Sequence, residues 1–342
     1  MAGQTLLEVT DLVEFLQRQE SVSGVQRVIA ETAPLLLAAD PQARAVVLDR
    51  GRGVLVALTA DETRALIALG AGSHNPAPDR GALAAAATAC LARARAAEPV
   101  AVDAQTVLVF LGAVWINDAL MLAARAAHAA GARCLYLLYD LTPVLETGHT
   151  AAVNRLFDRY LLLISQTGSA VPAISASSRR DFEQHCREHG RSSPPGAVTG
   201  LPCGLAPEQF SPAQLSEPPW PRPFALFVGT VESRKNHLLA LRGWQRLIER
   251  HGAQAVPDLV CVGRLGWHAD EFLAEYLATN GLDGKVSVLS TSVPDDELAR
   301  FYAHAEFTVY PSRYEGWGLP VSESLAFGKV AVVADNSSLP EA

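Results

Sequence analysis

The sequence predicts an α/β protein built from two doubly wound parallel sheets, and three observations carry that prediction. Short apolar runs, mostly continuous, alternate with helix-favouring segments along the chain. The stretch from Gly204 to Pro223 holds six prolines and has neither helical nor strand period. After it the alternation of strand and helix starts again. Continuous apolar runs suit strands covered by helices on both faces, and a proline-rich stretch suits an extended linker. The expected organisation is a first domain over residues 1–205, a linker over 206–223 and a second domain over 224–342.

In chain order, residues 6–9 form the first candidate strand and residues 24–39 the first helix. Further strands are expected at 46–49, 106–111, 134–139 and 171–175. Between them the Ala-rich segments 81–97 and 117–130 favour helix by composition. In the second half, residues 224–229 read as a strand, and 237–250 as a helix with apolar positions 238, 241, 244, 247 and 248 on one face. Strands at 259–263, 286–289 and 306–310 follow. Asp295-Asp296-Glu297 open the helix before the last of these, where negative charge favours a helix N-terminus. Pro320 suits the start of a short helix, Gly328 its left-handed end, and 330–334 a closing strand.

Composition narrows the function. A chain of 342 residues can bury two cores. A net charge of -8 argues against nucleic acid as a partner, because phosphate backbones call for a basic footprint. Five cysteines (90, 134, 186, 203 and 261) show no Cys-x-x-Cys spacing, and read as thiols of a reducing compartment. No secretion signal is visible at the N-terminus and no uncharged apolar run reaches 18 residues, so a cytoplasmic protein is expected. No Gly-x-Gly-x-x-Gly follows a candidate strand, which counts against a dinucleotide-dependent oxidoreductase.

The most informative segment is Tyr310-Pro-Ser-Arg-Tyr-Glu315-Gly-Trp-Gly318-Leu-Pro-Val-Ser-Glu323-Ser-Leu-Ala-Phe-Gly328. A strand, a loop, a short helix and a second strand are expected here, which places Glu315 in the loop and Glu323 about one turn into the helix. Backbone amides at the loop and helix start attract phosphate. Carboxylates beside them can bind hydroxyls, so the segment suits a sugar nucleotide. It resembles the Glu-x7-Glu signature of retaining GT-B glycosyltransferases, the large family four that includes bacterial mannosyltransferases. That resemblance implies two Rossmann-like domains facing a cleft, with the acceptor on the first and the donor on the second. It also implies that Glu315 contacts the transferred hexose and that Glu323 holds the donor ribose. Gly318, Leu319, Pro320 and Val321 would line the diphosphate. Ser338-Leu-Pro-Glu341-Ala resembles the family's Pro-Glu step, so the second domain is expected to be incomplete.

Other segments join the same resemblance. Gly229-Thr-Val-Glu-Ser-Arg234-Lys235-Asn236 follows a strand, and the family's matching cations neutralise the leaving diphosphate, Arg as a fork and Lys as a point charge. Arg264, at the end of another strand, is a candidate contact for the base or diphosphate. In the first domain, Ser23-Gly24-Val-Gln-Arg27-Val resembles the glycine loop of a polysaccharide-assembling subset, so Gly24 and Arg27 would face phosphate or acceptor. Cys203-Gly-Leu-Ala-Pro-Glu-Gln-Phe-Ser-Pro resembles the family's crossover segment, from which Cys203 and Ala206 depart. Tyr139-Asp140-Leu-Thr-Pro resembles a cleft-facing segment in which many relatives carry His. A tyrosine with a reference pKa of about 10 is a poor base at neutral pH, but retention does not require one.

Ser177 is a candidate helix cap. Arg179, Arg180, Arg187 and Arg191 could touch anionic lipid at the inner face of the plasma membrane. Asp181, Glu183 and Glu188 interrupt that cluster and favour a solvated face.

The resulting expectation is a metal-independent, cofactor-free retaining transferase. It would move a hexose from GDP-mannose or a UDP-hexose to a glycan or polyprenyl-linked acceptor during cell-surface polysaccharide assembly. The alternatives are a non-catalytic sugar-nucleotide-binding subunit or another GT-B enzyme such as a nucleotide-sugar epimerase.

Overall fold

The computed structural model describes residues 3–18, 24–67, 80–146, 150–290 and 293–342. Ser23 of the glycine loop lies outside them. The chain divides into two compact units, one comprising Met1–Val144 and Thr150–Thr199, the other Leu145–His149 and Gly200–Ala342.

In the first unit six strands form one sheet: β1 (Gln4–Glu8), β2 (Arg44–Asp49), β3 (Val54–Ala57), β4 (Thr106–Phe110), β5 (Arg133–Tyr136) and β6 (Gly168–Ala170). Their order is β3-β2-β1-β4-β5-β6, and every pairing is parallel except β2 with β3. Strand β3 was not expected. Its four residues follow a turn at Gly53, which adopts φ 67° as a tight reversal requires. The first strand also ends earlier than expected, because Val9 already precedes the helix Thr10–Leu16.

The 17-residue helix Ala151–Thr167 was likewise not expected. It lacks alanine richness, although Phe157, Tyr160, Leu161 and Ile164 recur at helical spacing and are buried. Residues 171–175, expected as a strand, instead make single parallel bridges: Ala173 pairs with Leu138 on one side and Val198 on the other. The sheet interior is apolar, and Phe110 stacks on Tyr136 with centroids 4.7 Å apart.

A fully buried carboxyl interrupts that interior. Glu8 is fully buried in β1, accepts a hydrogen bond from Thr10 N at 2.7 Å, and leaves Oε2 without a donor among the described residues. Burial pushes its carboxyl up to about 7, more than the Thr10 bonds lower it. A carboxyl that binds its proton more tightly when folded contributes stability in full below its unfolded value of 4.5. That stability declines by about 1.4 kcal/mol per pH unit as the pH rises toward the folded value. Glu8→Gln is therefore expected to raise the thermal midpoint at about pH 8 and to leave it nearly unchanged below the unfolded value. Equal shifts at both pH values, read by differential scanning calorimetry, would contradict this assignment.

In the second unit five strands run parallel: β7 (Phe224–Val228), β8 (Asp258–Val262), β9 (Val286–Leu289), β10 (Phe307–Tyr310) and β11 (Ala331–Val333). They are ordered β11-β10-β7-β8-β9. The expected strands and the helices at His237–His251, Asp295–His304 and Leu319–Ala326 are present to within a residue or two. The proline-rich stretch is folded against this unit. Trp220 Nε1 and Arg222 Nε donate to Asp258 Oδ2 at 2.9 and 2.7 Å, and His304 Nε2 lies 2.8 Å from Leu215 O.

Both sheets reverse direction in strand order beside their first strand, between β1 and β4 and between β7 and β10. Loops leaving the carboxyl ends of such neighbours diverge and leave a crevice. Among the described residues, no helix is long and apolar enough to cross a membrane.

Candidate functional site

The crevice of the second unit is built from the loops after β7 and β10. The β7 loop is zipped to the loop after β8 by three backbone bonds: Gly229 N to Val262 O at 2.9 Å, Val231 N to Arg264 O at 2.8 Å and Gly266 N to Val231 O at 2.9 Å. The approach is so close that a Cβ on Gly263 would lie 2.1 Å from Gly229 O. No side chain fits there. The loop then makes a 3-10 turn at Ser233–Lys235 and reverses at Asn236, which adopts φ 65°, a conformation asparagine tolerates better than most residues. Asn236 Nδ2 donates to Pro311 O at 3.1 Å, and Arg313 N donates to Arg234 O at 2.8 Å, so the β7 and β10 loops are fastened together. Below them, His237 is buried and stacks on Phe227 at 3.9 Å. Burial and the Lys235 charge push its imidazole down to about 3, so it is neutral.

This fastening brings three predicted site residues into contact. Arg234 Nη1 donates to Glu315 Oε2 at 2.7 Å and to Tyr314 O at 2.7 Å, while Nη2 donates to Glu232 Oε1 at 2.7 Å. Lys235 Nζ donates to Glu315 Oε1 at 2.6 Å. The Glu315 side chain is 10% exposed. Burial alone would raise its pKa, but Lys235 and Arg234 outweigh it and hold the carboxyl down to about 2. Glu315 is therefore ionised at any ordinary pH. Its backbone is pinned separately: Glu315 N donates to Ser337 Oγ at 3.0 Å, and Ser338 Oγ donates to Glu315 O at 2.8 Å.

Gly318 opens the next helix with φ 109°. Of the residues Gly318–Val321, Pro320 has no N–H and Val321 N donates to Gly318 O at 2.8 Å, so amides for an anion reduce to those of Gly318 and Leu319. Glu323 lies one turn further on, 6% exposed, and its Oε2 accepts from Tyr302 OH at 2.7 Å. Tyr302 was not singled out in the sequence, since its partner lies 21 positions away on a different helix. Arg264 is exposed and contributes its carbonyl to the loop zipper.

In the first unit Gly24, at φ 55°, precedes the helix Val25–Ala39 that carries Arg27. A group not anticipated from sequence organises this end. The Asp11 carboxylate accepts from Gln26 Nε2 at 3.1 and 3.2 Å and from Ala113 N at 3.0 Å, tying the first turn of the helix Thr10–Leu16 to the helix Val25–Ala39 and to the loop after β4. Burial raises the Asp11 carboxyl. Tyr139 OH donates to Leu111 O at 2.6 Å, and burial raises its hydroxyl pKa well above the usual value, so it keeps its proton. Asp140 Oδ1 accepts from Thr142 N at 2.9 Å and caps the following turn.

Two expectations need correction here. The cap of the helix Ala176–Glu188 is Ser175, whose Oγ accepts from Ser178 N at 3.0 Å, rather than Ser177. Arg180 and Arg187 are exposed, but Arg191 has a buried Nη1 and Arg179 turns inward. It pairs with Glu183 at 2.7 Å and donates to the carbonyls of Val171 and Pro194 at 3.0 and 2.8 Å.

Comparison with known proteins bears on the second unit most directly. Residues 214–342 match the family model described as Glycosyl transferases group 1. The O-antigen chain mannosyltransferase B of Escherichia coli is 37% identical over 118 residues, covering 34% of this chain and 30% of that protein. The serotype-specific mannosyltransferase WbdA of Escherichia coli is 25% identical over 209 residues, covering 58% of this chain and 25% of that protein. This chain thus covers less than a third of the length of either relative. Among solved structures, Anabaena HepE in complex with UDP and glucose matches with a TM-score of 0.59 and 16% identity, covering 99% of this chain and 82% of that one. The α,α-trehalose 6-phosphate synthase of Burkholderia multivorans matches with a TM-score of 0.54 and 13% identity, covering 99% and 83%. At such identities the likeness shows the fold, which is GT-B.

Proposed function

We propose that this chain, a member of the group 1 glycosyltransferases through residues 214–342, moves a hexose from a nucleoside diphosphate sugar to a hydroxyl of a glycan or lipid-linked acceptor, with retention at the anomeric carbon. The observation that carries this reading is the contact of Arg234, Lys235 and Glu315 at the crevice between β7 and β10. Two cations and one ionised carboxylate, held on fastened loops, match the charges of the reaction. Negative charge grows on the leaving diphosphate and positive charge on the sugar ring. Mannose is the favoured hexose, on the strength of the two mannosyltransferase relatives.

In the proposed reaction the bond from the anomeric carbon to the diphosphate oxygen breaks, and a bond from that carbon to the acceptor oxygen forms on the same face. The acceptor proton passes to the leaving phosphate oxygen. Tyr139 is not called on as a base, because its hydroxyl keeps its proton and is bonded to Leu111 O. Arg234 and Lys235 stabilise the departing charge, and preorganised groups of this kind contribute about 3 kcal/mol each. Glu315 offsets charge on the ring, the amides of Gly318 and Leu319 face the phosphates, and Glu323 binds the ribose hydroxyls. Arg264 and Gly229 border the donor, and Gly24, Arg27 and Asp140 the acceptor.

The test is a panel of sugar nucleotides, GDP-mannose and UDP-hexoses among them, scored first for thermal stabilisation of the chain. A ligand present at a hundred times its Kd stabilises by about 2.7 kcal/mol. Stabilising donors are then assayed for nucleoside diphosphate release with and without glycan acceptors. Stabilisation by no member of the panel would defeat the reading, and binding without acceptor-dependent release would identify a sugar-nucleotide-binding subunit instead.

A further inference from the structure

The cations assigned to the donor diphosphate already have an anion between them. Glu315 presents one carboxylate oxygen to Arg234 Nη1 and the other to Lys235 Nζ, at 2.7 and 2.6 Å. A bridging carboxylate of this kind places two oxygens where two phosphoryl oxygens would otherwise bind the same N–H groups. Such charge-assisted bonds are short and strong, so both anions cannot hold the pair at full strength together. The backbone on either side is fixed, by Ser337 and Ser338 around Glu315 and by the loop zipper around residues 229–236. Only the side chain is left to move.

We propose that Glu315 is an internal competitor of the donor diphosphate: the diphosphate binds by taking over the N–H groups of Arg234 and Lys235, and the displaced carboxylate turns toward the sugar. This rests on the nucleotide-sugar reading above. Glu232 has a distinct part in the exchange. It holds Arg234 Nη2 at 2.7 Å, so the guanidinium keeps its orientation when Nη1 changes partner. The exchange also selects ligand charge. A nucleoside leaves the Glu315 bridge intact, whereas a diphosphate replaces a single negative charge with at least two spread over two phosphoryl groups. Binding energy spent on displacing Glu315 is returned where it helps, because the freed carboxylate then faces the developing positive charge.

The experiment is calorimetric titration of the full chain with UDP and GDP, each beside its nucleoside. Glu315→Gln keeps the shape of the side chain but removes the competing charge, and is expected to tighten the diphosphate by about tenfold or more, the worth of a charged hydrogen bond. The nucleoside's affinity should not change. Unchanged or weaker diphosphate binding in Glu315→Gln overturns the proposal. Should that variant fail to fold, the wild-type chain carries the test. With the bridge to displace, the diphosphate group should add less than about tenfold over the nucleoside, and a gain above about a hundredfold overturns the proposal. If neither nucleotide nor nucleoside binds the wild-type chain, the nucleotide-sugar reading itself fails, an outcome distinct from the loss of the competitor alone.

Discussion

Lys235→Ala is expected to slow the single-turnover rate of sugar transfer by about 10²–10³-fold, the usual cost of removing one preorganised donor to developing negative charge. Lys235 is a partly buried point charge, its side chain 16% exposed, on a loop fastened to its neighbours. Under the proposed reaction it meets, in the transition state, charge that is absent from the intact sugar diphosphate, so its contribution would appear in the chemical step. Donor affinity should change much less. The variant loses one contact to the diphosphate, but Glu315 loses one of its two cations as well and is easier to displace. Rapid-quench measurement with labelled donor separates the two effects. An unchanged rate would reject Lys235 as a catalytic residue.

Glu323→Ala is expected to act in the opposite place. Charged hydrogen bonds to two ribose hydroxyls are worth about 1.5–3 kcal/mol each, so loss of the carboxylate should weaken nucleotide binding by about tenfold at least. The variant also leaves the buried Tyr302 hydroxyl without its acceptor at 2.7 Å, which costs stability of about 1–3 kcal/mol. Tyr302→Phe separates the terms, because it removes the internal bond and keeps the carboxylate for ribose. Calorimetry should show weakened nucleotide binding in Glu323→Ala, close to wild-type binding in Tyr302→Phe and tightened binding in Glu315→Gln. Equal losses in the two glutamate variants would contradict the separate roles.

How much of this was legible in the sequence differs between the halves. In the second unit the strands were mostly apolar runs, several of them bounded by glycine or proline, and those signals act over a few residues. The strands from β7 to β11 accordingly appear where expected, whereas the helix Asp270–Ala278 between β8 and β9 was not anticipated. In the first unit β3 and the helix Ala151–Thr167 were passed over. The strand is four residues long, and the helix carries its period in mixed company with Asn154, Arg155, Asp158 and Arg159. Residues 171–175 look like a strand but form only bridges, because pairing is decided by neighbours far along the chain.

The site divides along the same line. Arg234, Lys235 and Glu315 were recognisable as residue types at a strand end, and their chemistry follows from those types. Their direct pairing was not legible: Arg234 and Glu315 stand 81 positions apart, and only the β7–β10 adjacency closes that distance. The Tyr302–Glu323 bond and the Asp11 tie between Gln26 and Ala113 have the same origin.

The sequence by itself determined the alternation of elements, the two doubly wound sheets and the inventory of charges at one strand end, since periodicity and turn chemistry are local. Which of those charges touch and which carboxyls are buried was decided by tertiary structure alone. Strand order places distant loops side by side, and a buried charge takes whatever partner lies within hydrogen-bonding reach.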